Sequence, residues 1–200
     1  MTRDKTAIEI LTEFAKRSGR HIEFEEKPYP SAGPLHPVTY HRRRVCIPNN
    51  PKNTSYFICF GDSKEMGEMA TFSGVFVPIN FPSSFKMKVR TRDLMDNLNP
   101  FPKKDIIKTG IRQFDSAVVI TGDDPIKVRI FFNNRDIQKL VIRALKLDES
   151  FILAVNELNT DFVPGLKGQS HLGIYTTQEW ILDSKRIEAI FTLVEELGIS

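Results

Sequence analysis

The chain has 200 residues, 40% hydrophobic and 26% charged, a composition typical of a folded domain with a substantial core. Its longest apolar runs are too short to cross a bilayer, and its polar start lacks the apolar stretch of a signal peptide. These features argue against an integral membrane protein, and we expect a soluble, cytoplasmic chain.

The net charge of +3 is unevenly distributed along the sequence. Residues 1–110 carry 18 Lys/Arg and 12 Asp/Glu, whereas residues 111–200 carry 10 and 13. A basic half joined to an acidic half indicates an anionic partner for the first half. No block of like charge is long, which limits what this asymmetry indicates by itself.

An amphipathic helix opens the chain. Thr6 and Glu9 have the spacing of a capping box, apolar residues recur at helical intervals, and Gly19 supplies a left-handed stop. Residues 21–25 then alternate between apolar and acidic side chains, which predicts a half-buried strand. Four prolines within residues 28–37 exclude regular structure, and we expect a long surface loop there.

A run of strands follows, at roughly 40–47, 54–60, 70–79 and 85–91. The last of these has the clearest alternation, because every second residue is a cation. These cations, here called the cationic ladder, are Lys86, Lys88, Arg90 and Arg92. A period of two predicts a strand with one largely apolar face and one cationic face.

The two cysteines lie on neighbouring predicted strands. Cys46 and Cys59 flank the turn-rich residues 48–53, and a hairpin centred there would bring the thiols face to face, or nearly so. Two cysteines do not form a disulfide framework for a chain of this length, so we expect free, half-buried thiols. A redox-linked pair is the alternative.

The middle of the chain contains the clearest local signals. Asp115 lies where it can order a turn at Gly110, and residues 117–121 are predicted to form a strand. Asp124 is a good N-cap directly before a proline, so we expect a short helix over residues 126–132.

The remaining elements complete the predicted fold. We expect a helix over 137–147, strands over 151–158 and 171–177, a flexible connection at 164–170, and a final helix from Asp183 or Ser184 to Gly198. The strands cluster rather than alternate with helices. This order predicts a single α+β domain over residues 1–200, with a mostly antiparallel sheet packed against N-terminal, middle and C-terminal helices. Its first half is strand-rich and basic, and its second half is richer in helix and acidic.

One segment resembles a loose group of bacterial domains of unknown function. It has the form TG…FD…V…DDP and runs Gly110…Phe114-Asp115…Val118-Val119-Ile120…Gly122-Asp123-Asp124-Pro125. In that group it follows an amphipathic helix and a charged run of strands, and precedes a helix pair, two strands and a closing helix. Many members follow transmembrane helices in their own chains, and this sequence departs from the group because it contains no such helix. The group supplies no active site.

The cationic ladder is the main candidate for a binding site. Its four cations project from one strand face, and Arg42 and Arg44 on another strand could extend the patch. Such a face could bind the phosphates of nucleic acid or anionic lipid head groups. The alternative is a solvated face or edge whose lysines discourage aggregation. The lack of interleaved aromatic residues argues against stacking of nucleic-acid bases.

No catalytic residue, metal site or cofactor is predicted. His36, His41 and Cys46 are spaced five residues apart, which matches no zinc pattern and sends successive side chains to opposite faces of a strand. Residues 165–170 lack the Gly-Lys-Ser/Thr order of a phosphate-binding loop. No nucleophile elbow, zinc-binding helix or dinucleotide fingerprint occurs.

The sequence therefore favours a non-catalytic binding or scaffold domain that uses its basic sheet face for an anionic partner, peripheral to a membrane or in a protein assembly. Two alternatives stay open. One is an enzyme with a dispersed active site acting on an anionic small molecule, and the other is a dimerising structural protein. A deep pocket holding a carboxylate or histidine in an unusual environment would favour the enzyme.

Overall fold

The structure, a computed structural model, describes residues 5–30, 40–49, 54–67, 70–94, 96 and 106–199. The strands are β1 Glu23–Pro28, β2 His41–Pro48, β3 Tyr56–Asp62, β4 Thr71–Pro78, β5 Met87–Thr91, β6 Ile106–Ile107, β7 Val118–Gly122, β8 Ile152–Val155 and β9 His171–Thr176. The helices are α1 Ala7–Ser18, α2 Arg112–Ala117, α3 Pro125–Phe131, α4 Arg135–Leu145 and α5 Ser184–Ile199. No helix in these ranges is long and apolar enough to cross a membrane.

All nine strands belong to one sheet, in the order β1-β2-β3-β4-β9-β8-β5-β7-β6, and every neighbouring pair is antiparallel. The first four strands form a meander, and β9 then joins β4 to the strands of the second half. Helices from the start, middle and end of the chain accompany this sheet. The predicted α+β class with an antiparallel sheet is confirmed.

Local sequence signals determine where several helices begin. The Thr6 hydroxyl accepts the amide of Glu9 at 3.3 Å, and the Glu9 carboxylate accepts the amide of Thr6 at 2.7 Å, which confirms the capping box. Asp124 likewise accepts the amides of Ile126 and Lys127, at 3.0 and 3.1 Å, and confirms the predicted N-cap of α3.

Asp115 orders the turn at Gly110, as predicted. Its carboxylate accepts the amides of Thr109 and Gly110 at 2.9 and 3.1 Å, and the Thr109 hydroxyl at 2.9 Å. Gly110 has φ +89°, a conformation that a side chain would strain. The short helix α2, which contains Asp115, was not predicted, since the sequence analysis placed only a turn before β7.

The sheet is covered on both faces. On one face, apolar side chains of the strands pack with α1, α4 and α5 in the larger core. On the other face, Ile58, Phe72 and Phe76 lie under residues 156–170, here called the β8–β9 connection. Its part at 164–170 was predicted to be flexible, but Leu166 within it is buried against the sheet. The strand predicted over 151–158 is shorter in the structure, where it ends at Val155 and the β8–β9 connection begins.

The cysteines do not face each other, so that expectation was wrong. Cys46 lies opposite Ile58 and Cys59 lies opposite Val45, and this one-residue offset sends the two thiols to opposite faces of the sheet. Both thiols are free. Burial raises the pKa of Cys46 to about 12 and that of Cys59 well above its ordinary value, so both stay protonated and unreactive at neutral pH.

The final helix continues through Gly198 to Ile199, one residue beyond the predicted stop. Gly198 is used for close packing rather than as a cap. A Cβ atom there would lie 3.0 Å from a methyl carbon of Val77 on β4. The glycine therefore lets α5 approach the centre of the sheet.

A glycine in β9 makes room for an aromatic ring on β4. Gly173 lies opposite Phe76, and a Cβ atom on this glycine would lie 2.3 Å from the Phe76 ring. Phe76 is almost completely buried and stacks on Tyr175 with ring centroids 6.0 Å apart. The ring therefore has little space to move aside.

We expect Gly173→Ala to lower the free energy of unfolding by about 1–3 kcal/mol, because it overpacks this contact. The matched control is Gly61→Ala on β3, where the new methyl group would meet Trp180 at an ordinary 3.6 Å. Urea unfolding measures both. Equal midpoints for the two variants would contradict the prediction.

Candidate anion-binding surfaces

The predicted cations share one face of the sheet but lie in two separate places. Directly opposed residues on neighbouring strands point to the same side of a sheet. Followed strand by strand from β2 to β5, this pairing places Arg44 and Arg90 on the same face. Four strands lie between β2 and β5, which at about 4.8 Å per strand separates them by roughly 24 Å. Arg42 and Arg44 therefore do not adjoin the cationic ladder.

Much of the cationic ladder is already bonded within the protein. Arg90 donates to both carboxylate oxygens of Asp96, at 2.7 and 2.5 Å, and this hydrogen bond holds the pKa of Asp96 well below its usual range. Arg92 donates to the Val118 carbonyl at 3.2 Å, and Lys88 is half-buried beside β7 and β8. Lys86 is exposed and forms no ion pair with any residue that the structure describes. The available charge is therefore concentrated at the Lys86 end.

Helix α3 lies at this same end of β5. The Lys86 amide donates to the Asp123 carboxylate at 3.1 Å, which joins the start of β5 to the residues before α3. Ile126 and Ile130 project from α3 with 69% and 67% of their surface exposed. They are four residues apart and therefore lie on one side of the helix.

Further cations lie on α3 and next to it. The Arg129 guanidinium donates to the Lys108 carbonyl at 3.0 Å, which brings the exposed side chains of both residues to the α3 region. Lys127 forms an ion pair with Asp124 at 2.8 Å. We refer to this surface as the α3 patch: Lys86, Lys108, Ile126, Lys127, Arg129 and Ile130. This patch was not predicted, although the i, i+4 spacing of the two isoleucines is visible in the sequence.

Arg42 and Arg44 line a cleft of about 630 Å³ at the other end of the sheet. Its floor is a row of opposed side chains, in which Arg44 lies between Glu25 and Phe60. Its opposite wall comes from the β8–β9 connection, which supplies Phe162 and Lys167. We refer to it as the Arg44 cleft.

A buried carboxylate lies beside Arg42 in this cleft. Asp62 accepts the Tyr29 hydroxyl at 2.6 Å, the Arg42 side chain at 2.8 Å and the Lys64 amide at 3.0 Å. Burial alone would raise the pKa of Asp62, but the hydrogen bonds from these three groups outweigh it and lower the pKa. Asp62 therefore stays ionised and is fully hydrogen-bonded, which suits a structural role better than proton transfer.

The histidines and the cysteine considered as metal ligands are not brought together. His36 lies outside the described residues, and His41 and Cys46 lie on opposite faces of β2, as their odd spacing requires. Within the described ranges, no three His, Cys, Asp or Glu side chains are placed to hold a metal ion.

The comparisons with known proteins add no family. No family model matches the chain, and neither the curated proteins nor the solved structures contain a significant match. The class of the protein is therefore described from its own structure, as an α+β fold with an antiparallel sheet and two cationic surfaces. The resemblance to the TG…FD…V…DDP group stays a prediction.

His171, at the start of β9, should make folding sensitive to mild acid. It is buried against Phe76, and its Nε2 atom has no hydrogen-bond partner. Burial lowers its pKa below the ordinary 6.5, so the unfolded chain takes up a proton more readily than the folded one. Its contribution to stability is present above pH 6.5 and is lost as the pH falls from 6.5 toward the folded pKa.

We expect wild-type stability to fall between about pH 7.5 and 5.5, by at most about 1.4 kcal/mol per pH unit for one such group. His171→Gln should flatten this dependence in urea unfolding at several pH values. His21→Gln is the control, since His21 is exposed beyond α1. An unchanged slope in His171→Gln would refute the assignment.

Proposed function

We propose that the protein is a non-catalytic binding domain that attaches peripherally to an anionic membrane surface through the α3 patch. The observation that carries the proposal is the pair Ile126 and Ile130, about two-thirds exposed on a helix that also carries Lys127 and Arg129. Exposed aliphatic residues next to Lys and Arg are typical of protein surfaces that lie in the membrane interface. The proposal keeps the predicted anionic partner and moves its contact from the whole ladder to the Lys86 end.

The apolar contribution is useful but small. Fully burying one such side chain yields about 1.5–3 kcal/mol, so the exposed parts of two isoleucines together yield about 2–4 kcal/mol. An apolar contribution of this size gives only weak, reversible membrane binding, as a single short lipid anchor does. The isoleucines therefore need support from the surrounding charges.

The charges supply that support at an anionic surface. Each Lys or Arg close to an anionic leaflet contributes about 1 kcal/mol, and this contribution falls within one Debye length. Lys86, Lys108 and Arg129 form no ion pairs with residues that the structure describes, so their charge is available to head groups. Attachment should thus require both the isoleucines and the cations, and it should weaken with salt.

A bilayer suits this surface better than nucleic acid or a protein. Phosphate backbones attract the cations but offer the isoleucines no apolar contact. A stable protein interface covers about 800 Å² on each partner, whereas this patch presents one two-turn helix and its neighbours. A bilayer accepts a small protruding apolar group between its head groups without needing a matched concave surface.

We expect the full chain to sediment with vesicles containing phosphatidylserine, and not with neutral phosphatidylcholine vesicles. Ile126→Ser/Ile130→Ser should lower the fraction bound at least about fivefold, given the loss of about 2–4 kcal/mol of apolar contact. Met66→Ser is the matched control, because Met66 is an exposed apolar residue at the β3–β4 turn. Equal loss in the control would count against the α3 patch.

Removing charge should also weaken attachment, with a reduced dependence on salt. Lys86→Gln/Lys108→Gln removes two exposed cations that have no described ion pair, so the fold should be retained. The control is Lys16→Gln/Arg17→Gln, which removes two exposed cations from α1. Sedimentation at low and at physiological salt compares the pairs. The proposal fails if both pairs weaken binding equally, or if wild-type protein does not bind at low salt.

A further inference from the structure

We propose that the Arg44 cleft binds a small organic anion with a flat apolar body. The anionic group would meet Arg44 and Lys167, and the flat body would lie against Phe162 and Phe60. This site is on β2 and β3, away from the α3 patch near β6 and β7, so it does not depend on membrane attachment.

Arg44 has unused capacity to bind an anion. Within the described residues its one ion pair is with Glu25, at a long 3.3 Å, and Glu25 also pairs with Lys27 at 2.5 Å. The Nε atom of Arg44 is buried and has no hydrogen-bond partner. A buried donor without a partner is costly, and a planar carboxylate or phosphate could accept from this fork.

Aromatic rings hold the guanidinium and form an apolar wall. The Arg44 guanidinium carbon lies 4.8 Å from the centre of the Phe162 ring, within cation–π distance, and 27% of the Arg44 side chain is exposed. Phe60 lies 5.8 Å from Phe162 and stacks on Phe72 at 5.3 Å. A flat ligand body could extend this stack of rings.

The carboxylates that line the cleft are either bonded within the protein or exposed to solvent. Asp62 is bonded to Arg42 and Tyr29, as described above, and Asp161 accepts the Gly168 amide at 3.2 Å. Glu65 and Asp161 are exposed, where water and salt screen them most strongly. Lys167 forms no ion pair with any described part of the chain and adds a second available cation.

The size of the cleft limits the ligand to a small molecule. Its volume of about 630 Å³ lies within the range of about 300–1,000 Å³ that small-molecule sites occupy. Apolar rings with a few convergent polar groups are also the usual lining of such sites. Carboxylates and phosphates share the chemistry that Arg44 recognises, and the experiment distinguishes them.

The experiment is an NMR titration of the full chain with phenyl phosphate and, separately, benzoate. The Arg44 Nε–H signal, assigned by its absence in Arg44→Gln, should shift and saturate with a Kd below about 1 mM for at least one probe. The probe with the tighter Kd identifies the anionic group that the cleft prefers. Benzamide keeps the ring without the charge, and it should leave the signal unshifted.

Variants then test the named residues. Arg44→Gln and Lys167→Gln should each weaken binding at least about tenfold, as followed by the ring protons of the probe, a loss of about 1.4 kcal/mol. Arg143→Gln on α4 is the control and should bind as wild type. If Arg44→Gln does not fold, Lys167→Gln decides, because its exposed side chain has no described bonds. No saturable shift with either anion, an equal shift with benzamide, or equal loss in the control would overturn the inference.

Discussion

The pairing of β4 with β9 sets the face of the sheet on which each functional side chain lies. It joins the basic meander of the first half to the strands of the second half, and it is held by Phe76 packed over Gly173. A slip of one residue there would turn the second-half strands over relative to the first. Arg44 and Arg90 would then lie on opposite faces, and the apolar residues of the connection would lose the surface that they cover.

The distribution of acids decides which cations are available. Arg90 has Asp96 six residues away, and Arg42 has buried Asp62 on the adjacent strand, so both guanidinium groups are used within the fold. Among the residues that the structure describes, Lys86 has no such partner, and Arg44 shares Glu25 with Lys27. The cationic character evident in the sequence thus separates into a structural part and two small surfaces with free charge. One of these includes exposed aliphatic residues of a helix, and the other is a cleft that includes aromatic residues.

The features that could be predicted from the sequence are local ones. The caps at Thr6 and Asp124 and the turn held by Asp115 connect residues at most six positions apart, so their chemistry is visible in a short window. Most strands were predicted from periodicity for the same reason, and the fold class followed from the order of the elements, whereas the two-residue strand β6 was not predicted. The positions of Cys46 and Arg44 depend instead on strand register and order, which long-range packing determines. The exposure of Ile126 depends in the same way on which side of α3 meets the core.

The position of β9 in the middle of the sheet has a consequence for protein synthesis. The first four strands leave the ribosome long before residue 171, and until then β4 is an open edge. Phe72 and Phe76 on that strand also stay uncovered, because the connection that shields them is made just before β9. A nascent chain therefore displays an unpaired, aromatic-rich strand from the synthesis of β4 until that of β9, which is a surface that chaperones recognise and that aggregation exploits.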